Sequence, residues 1–183
     1  ILTEAGRMCE EVIYPTLRDG DLTPARMENG KVRSSPGFAE AFKGIAEGGW
    51  ISTAADPEYG GMGLPFTITT AVNEMMASGN LALQLNPLLT QGHIEALEAH
   101  ATEELKNIYL PKMNSGAWSG TMNLTEPQAG SDVGALSTKA TRNDDGTYAI
   151  TGSKIFITWG DSDFAENVVH LVLARLPDGG KGT

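Results

Sequence analysis

The stretch T-E-P-Q-A-G-S-D, Thr125 to Asp132, joins an apolar run to an alternating one and carries two hydroxyls, two carboxylates, a proline and a glycine. Pro127 and Gly130 let the backbone turn as it leaves the strand-like segment W-S-G-T-M-N-L. Such a turn can aim successive backbone N–H groups into one concavity, where they favour a phosphate or another electron-rich oxygen. No Lys, Arg or His falls between Trp118 and Val133. An anion held there would therefore rely on backbone amides and on the Thr125 and Ser131 hydroxyls. The same pattern also fits a polar connection between strands.

A second candidate is K-I-F-I-T-W-G, Lys154 to Gly160. Its alternation predicts a strand with Phe156 on one face and Ile155 and Ile157 on the other, ending at Thr158. Phe156 and Trp159 can wall a flat ligand, and aromatics in strands equally serve as core. The histidines His93, His100 and His170 are scattered without metal-ligand spacing. The single cysteine, Cys9, excludes an internal disulfide and any cysteine-rich metal site, which suits a reducing compartment.

These segments need elements to position them. Residues 1 to about 112 read as helical, with Leu2, Ala5, Cys9, Val12 and Ile13 on one face and Phe38, Ala41, Phe42 and Ile45 on another. After Pro65, Ile68, Ala71, Val72, Met75 and Met76 recur at three- and four-residue steps, a stripe that suits core packing. Thr102 is a good N-cap, with Glu103 and Glu104 in the first turn, for a helix expected to end before Pro111. Residues 15–35 read as a long polar surface loop, and D-P-E-Y-G-G-M-G-L-P, Asp56 to Pro65, as a second loop.

From Trp118 the period becomes extended: Leu136 to Arg142 alternates, N-D-D-G at 143–146 signals a hairpin, and Tyr148, Ile150, Ile155 and Ile157 continue as short strands. Val168 to Leu176 reads as a strand buried on both faces. The boundary falls near Asn114 to Gly116, giving a helical domain over 1–115 and a β domain over 116–183. The fold class is thus multidomain α and β: an N-terminal all-α domain followed by an incomplete antiparallel β-barrel or sandwich.

With 40% apolar and 20% charged residues, the 183-residue chain has the composition of a globular protein, and no apolar run is long enough to span a bilayer. A formal charge of −10 argues against a nucleic-acid partner. No targeting segment is visible. A chain that begins with Ile1 and stops in P-D-G-G-K-G-T reads as an excised piece, so missing catalytic groups are expected outside it.

The sequence resembles the acyl-CoA dehydrogenase family over essentially its whole length. The resemblance rests on M-N-L-T-E-P-Q-A-G-S-D-V (Met122 to Val133), on G-S-K-I-F-I-T (Gly152 to Thr158), on the spacing between them, and on P-E-Y-G-G-M-G (Pro57 to Gly63). It implies FAD in the middle domain, with Met122, Leu124 and Thr125 beside the isoalloxazine ring. Gly130 and Ser131 then lie near the pyrophosphate, Ser131 also near the acyl-CoA substrate. Phe156, Ile157 and Thr158 flank the ring. Phe156 stands where the family usually has tryptophan, so a stacking face is kept and an indole N–H is lost. Met122 stands where an aromatic is common.

The implied reaction is α,β-dehydrogenation of an acyl-CoA thioester, with a glutamate base expected beyond Thr183 and therefore no catalytic residue in this chain. The isolated chain is expected to be inactive. Glu126 and Asp132 are not the base in that arrangement and are expected to hold the turn. The resemblance further implies electron-transferring flavoprotein as acceptor, a homo-oligomer, a cytoplasmic setting and no membrane partner. Within the family, the loop from Pro15 to Ser35 and K-I-F-I-T-W-G-D-S-D-F-A-E-N resemble the branch of 3-(methylthio)propanoyl-CoA dehydrogenases. The alternative is a protein that keeps the fold and flavin for a binding or protective role, with little dehydrogenase turnover; the acidic charge speaks against its nucleic-acid form.

Overall fold

The computed structural model describes residues 1–180, so the last three residues of the tail Pro177–Thr183 lie outside the described residues. The chain divides into two compact units. The first is Ile1–Thr121 with Trp159–Val169; the second is Met122–Thr158 with the stretch from His170 onward.

In the first unit, α1 (Leu2–Met8) runs through a π turn, Cys9–Ile13, and a 3₁₀ turn, Tyr14–Thr16, into α2 (Leu17–Leu22). Ala5, Cys9 and Ile13 are buried, as the apolar spacing requires. The expected loop over 15–35 is more ordered than its polarity suggested. It contains α2 and a hairpin of β1 (Arg26–Glu28) and β2 (Lys31–Arg33), paired Met27 to Val32. The hairpin turns at Asn29 and Gly30, with φ of 51° and 76°. Asn-Gly is a strong two-residue hairpin signal, because both residues tolerate positive φ, and it outweighs the polar composition here. Asp163, in the same unit, accepts from the Ser34 hydroxyl at 2.6 Å and the Ser34 amide at 3.1 Å, fixing the chain just past β2.

Helix α3 (Phe38–Glu47) buries Phe38, Ala41, Phe42 and Ile45, the four positions its pattern predicts. Helix α4 (Phe66–His100) begins after Pro65 and buries Val72 and Met76, so the methionine stripe is core. It is broken at Asn80, whose backbone is extended (φ −161°, ψ 97°). The break is satisfied internally: Asn80 Oδ1 accepts from the Leu83 amide at 3.2 Å, capping the second half, while Nδ2 donates to Thr16 Oγ1 at 2.8 Å.

Helix α5 (Glu103–Asn114) begins at Thr102, whose hydroxyl accepts from the Leu105 amide. It does not end before Pro111 but runs one turn further. Leu110 and Met113 are fully buried, and that apolar burial outweighs the hydrogen bond that proline forfeits. The Tyr59 phenol donates to Glu103 at 2.9 Å, and this bond holds its proton up to about 12 while tying the loop at 57–59 to α5.

Strand β3 (Trp118–Asn123) pairs with β6 (Asn167–Val172), and β4 (Lys139–Arg142) pairs antiparallel with β5 (Tyr148–Thr151), Ala140 facing Ile150. N-D-D-G does form the hairpin: the Asn143 amide donates to Thr147 O at 2.9 Å, and Gly146 has φ 86°. β6 is shorter than predicted and its residues are exposed or half-buried. It pairs with β3, and because none of its residues is fully buried it is not a strand covered on both faces.

Candidate functional site

Met122, Leu124, Thr125, Gly130, Ser131, Phe156, Ile157 and Thr158 all lie in the second unit. Met122 is in β3 and half-buried, as are Thr125 and Ile157 in their loops, while Leu124, Gly130, Ser131, Phe156 and Thr158 are exposed. The two motifs run beside each other. The Ile155 amide donates to Thr125 O at 3.0 Å, and the Lys154 ammonium donates to Leu124 O at 2.9 Å and to Glu126 Oε1 at 2.8 Å.

Residues 152–157 are not a strand. Phe156 has φ 58°, a left-handed conformation that no regular strand contains, and its side chain is 87% exposed. Alternation in I-F-I therefore misleads: the backbone turns at Phe156 and holds its ring in the open. Trp159 is no second wall for a flat ligand. It belongs to the helical unit, packs on Phe38 and Phe164 with ring centroids 6.2 and 5.3 Å away, and donates its indole N–H to Ala82 O at 2.9 Å.

The centre of this loop cluster is Glu126, a residue the sequence marks only as a turn carboxylate. It is buried, and five donors converge on it: Lys154 Nζ, the Thr138 amide, the Ser137 amide and hydroxyl, and the Gln128 side chain. The Lys154 hydrogen bond, then Thr138, hold the carboxyl far below the usual carboxylate range, and burial works in the opposite direction. A carboxylate held ionised by so many donors is a poor proton acceptor, so Glu126 is structural. It closes the turn over 127–136, with Glu126 and Ala129 exchanging backbone hydrogen bonds at 2.9 and 3.0 Å. Arg175 supports the far side of that turn, donating to Leu136 O at 3.0 Å and also to Gly134 O.

What the cluster leaves open is as informative. Among the described residues the Thr125, Ser131 and Thr158 hydroxyls and the Gly130 and Ser131 amides have no hydrogen-bond partner. An ideal Cβ on Gly130 meets no atom within 4 Å, and its backbone is outside the left-handed region. Nothing within the described fold demands a glycine there. Uncharged alcohols, amides, an accessible glycine and a displayed aromatic ring suit a flat, polar-edged ligand with a phosphate tail. No group of His, Cys, Asp and Glu among the described residues is arranged to hold a metal ion, and no helix there is long and apolar enough to cross a membrane.

Residues 1–117 match the acyl-CoA dehydrogenase N-terminal domain and residues 121–183 the middle domain of the same family. The chain is 49% identical to 3-methylmercaptopropionyl-CoA dehydrogenase of Ruegeria pomeroyi, over 99% of this chain and 31% of that protein. It is 38% identical to a butyryl-CoA dehydrogenase of Syntrophomonas wolfei, over 97% of this chain and 30% of that protein. Among solved structures, butyryl-CoA dehydrogenase of Megasphaera elsdenii superposes with a TM-score of 0.79 at 26% identity, covering 97% of this chain and 44% of that one. The chain thus spans about a third of the length of the curated relatives it matches. A helical N-terminal domain and a sheet-bearing middle domain, each matched in register, show that this chain belongs to the acyl-CoA dehydrogenase family.

Proposed function

We propose that this chain is the flavin-holding part of a FAD-dependent enzyme that dehydrogenates an acyl-CoA thioester between its α and β carbons. One observation carries the reading: two segments 28 to 30 residues apart are cross-bonded at Leu124, Thr125 and Glu126, with alcohols, amides and Phe156 left open beside the joint.

FAD, when bound, supplies the acceptor for the hydride that leaves the β carbon. The chain's own residues bind and orient. The Thr125 and Thr158 hydroxyls offer hydrogen bonds to the ring's polar edge, strongest where negative charge collects on reduction. Phe156 offers its face, and Met122, Leu124 and Ile157 keep water from the ring. The Gly130 and Ser131 amides serve the pyrophosphate, and Ser131 the acyl-CoA as well. Removal of the α proton belongs to a glutamate outside these 183 residues.

The Ruegeria relative supports 3-(methylthio)propanoyl-CoA as the substrate class. The family reading also supports electron-transferring flavoprotein as acceptor, a homo-oligomer and a cytoplasmic setting. We further place the domain boundary near residue 116 and read the sheets as parts of an antiparallel barrel or sandwich.

Gly130→Ala, made in the protein at its full natural length, tests the assignment. The folded chain has room for the methyl group, so its stability is unchanged or raised by about 0.4–1 kcal/mol. FAD affinity, followed by flavin fluorescence, falls by about tenfold because the added methyl stands where the pyrophosphate must approach the backbone. Unchanged affinity contradicts the cradle, and a wild-type protein that takes up no flavin contradicts the function.

A further inference from the structure

We propose that Lys154 is a positioning residue for the flavin, the side chain that sets how far the Thr125 segment stands from the Ile155–Thr158 segment. The proposal rests on the flavin reading above and assigns within it a residue with no direct part in binding.

The geometry has three parts. First, the Lys154 side chain is 9% exposed and its Glu126 partner 1% exposed. Lysine is seldom so enclosed unless paired, and here the ammonium is shared between Glu126 Oε1 at 2.8 Å and Leu124 O at 2.9 Å. It therefore grips the first motif on both sides of Thr125. Second, the adjoining Ile155 amide donates to Thr125 O itself at 3.0 Å. Consecutive residues 154 and 155 thus hold consecutive residues 124, 125 and 126. Third, no regular strand supports residues 152–157. The lysine bridge does the work that a sheet ladder does elsewhere.

The next residue shows why such a bridge is required. Phe156 sits at φ 58°, which costs a side chain with a Cβ about 1–2 kcal/mol. A conformation of that kind persists only where its flanks are fixed, and Lys154 and Ile155 are the fixed flank on the N-terminal side. Releasing Lys154 lets the turn relax toward ordinary extended backbone. That swings the Phe156 ring and the Thr158 hydroxyl away from the Thr125 side without altering any residue in the proposed contact set.

The test uses the protein at its full natural length, loaded with FAD, in wild-type, Lys154→Met, Lys154→Arg and Glu126→Gln forms. The expected result is a folded Lys154→Met protein with FAD affinity lowered by about tenfold, an altered visible flavin spectrum and a shifted flavin midpoint potential. Lys154→Arg, which keeps the charge, restores part of each. Should Lys154→Met fail to fold, Glu126→Gln carries the test, because it removes the ion pair at nearly constant volume; the same three changes are expected. A folded Lys154→Met or Glu126→Gln protein with wild-type affinity, spectrum and potential overturns the positioning role and leaves the flavin reading intact. Absence of flavin from the wild type overturns the flavin reading instead.

Discussion

Gly61→Ala lowers the melting temperature of this chain by about 6–12 °C, corresponding to about 3 kcal/mol or more. A Cβ at Gly61 falls 2.0 Å from the Ala55 carbonyl oxygen and 2.2 Å from its carbon. Both are backbone atoms, and no rotamer change relieves the overlap. Ala55 cannot yield cheaply, because its carbonyl accepts the Gly63 amide at 3.0 Å within a loop laced by Gly61 to Asp56, Met62 to Ser52 and Leu64 to Thr53 bonds. The neighbouring Gly60 is a control with a different cause. Its φ is 90° but nothing lies within 4 Å of an added Cβ, so Gly60→Ala costs only about 1–2 kcal/mol, from conformation alone. Thermal unfolding followed by circular dichroism measures both, and equal losses at the two positions contradict the close-approach account.

The second large effect concerns acid. The Glu126 carboxyl has a folded pKa well below its ordinary value of 4.5. Its contribution to stability is therefore complete above about pH 4.5 and is lost progressively as pH falls below that value toward the folded pKa. Asp145, Asp163 and Glu103 are also held low, so the wild-type decline between pH 5 and pH 3 has several sources. The difference between wild type and Glu126→Gln isolates one of them. At pH 7 the variant melts lower by on the order of 10 °C, because Lys154 is left enclosed without its counter-charge. That gap narrows steadily as the pH is lowered through 4. A gap that stays constant with pH contradicts the ion pair as its origin.

These two effects differ in how far the sequence foretold them. The P-E-Y-G-G-M-G loop was legible as a loop from its glycines and prolines, and the hairpin at N-D-D-G from its turn chemistry, because both signals are local. So were the helix faces, where Phe38, Ala41, Phe42 and Ile45 are all buried. Lys154 was not legible, since lysine reads as a surface residue and its partner lies 28 residues away. Phe156 was misread for a physical reason: I-F-I has the alternation of a strand, and a positive φ leaves no trace in composition. The Asn80 break likewise depends on Thr16, 64 residues distant. Pro111 was read as a stop because proline forfeits a helical hydrogen bond, whereas the burial of Leu110 and Met113 is a tertiary gain that no local signal carries. The Thr125 and Ser131 hydroxyls stood out as candidates because no cation lies near them in the sequence, whereas Gly130 read from the residues as a turn former and became a candidate only through the family resemblance.

The central claim is that the segments 122–131 and 154–158 jointly hold the flavin. Amide hydrogen exchange on the protein at its full natural length, compared with and without FAD, tests it most directly. The account predicts slowed exchange on FAD binding in both segments at once, including the Gly130 and Ser131 amides, which have no partner in the chain's own described residues. FAD that binds and protects other regions while leaving both segments unchanged contradicts it.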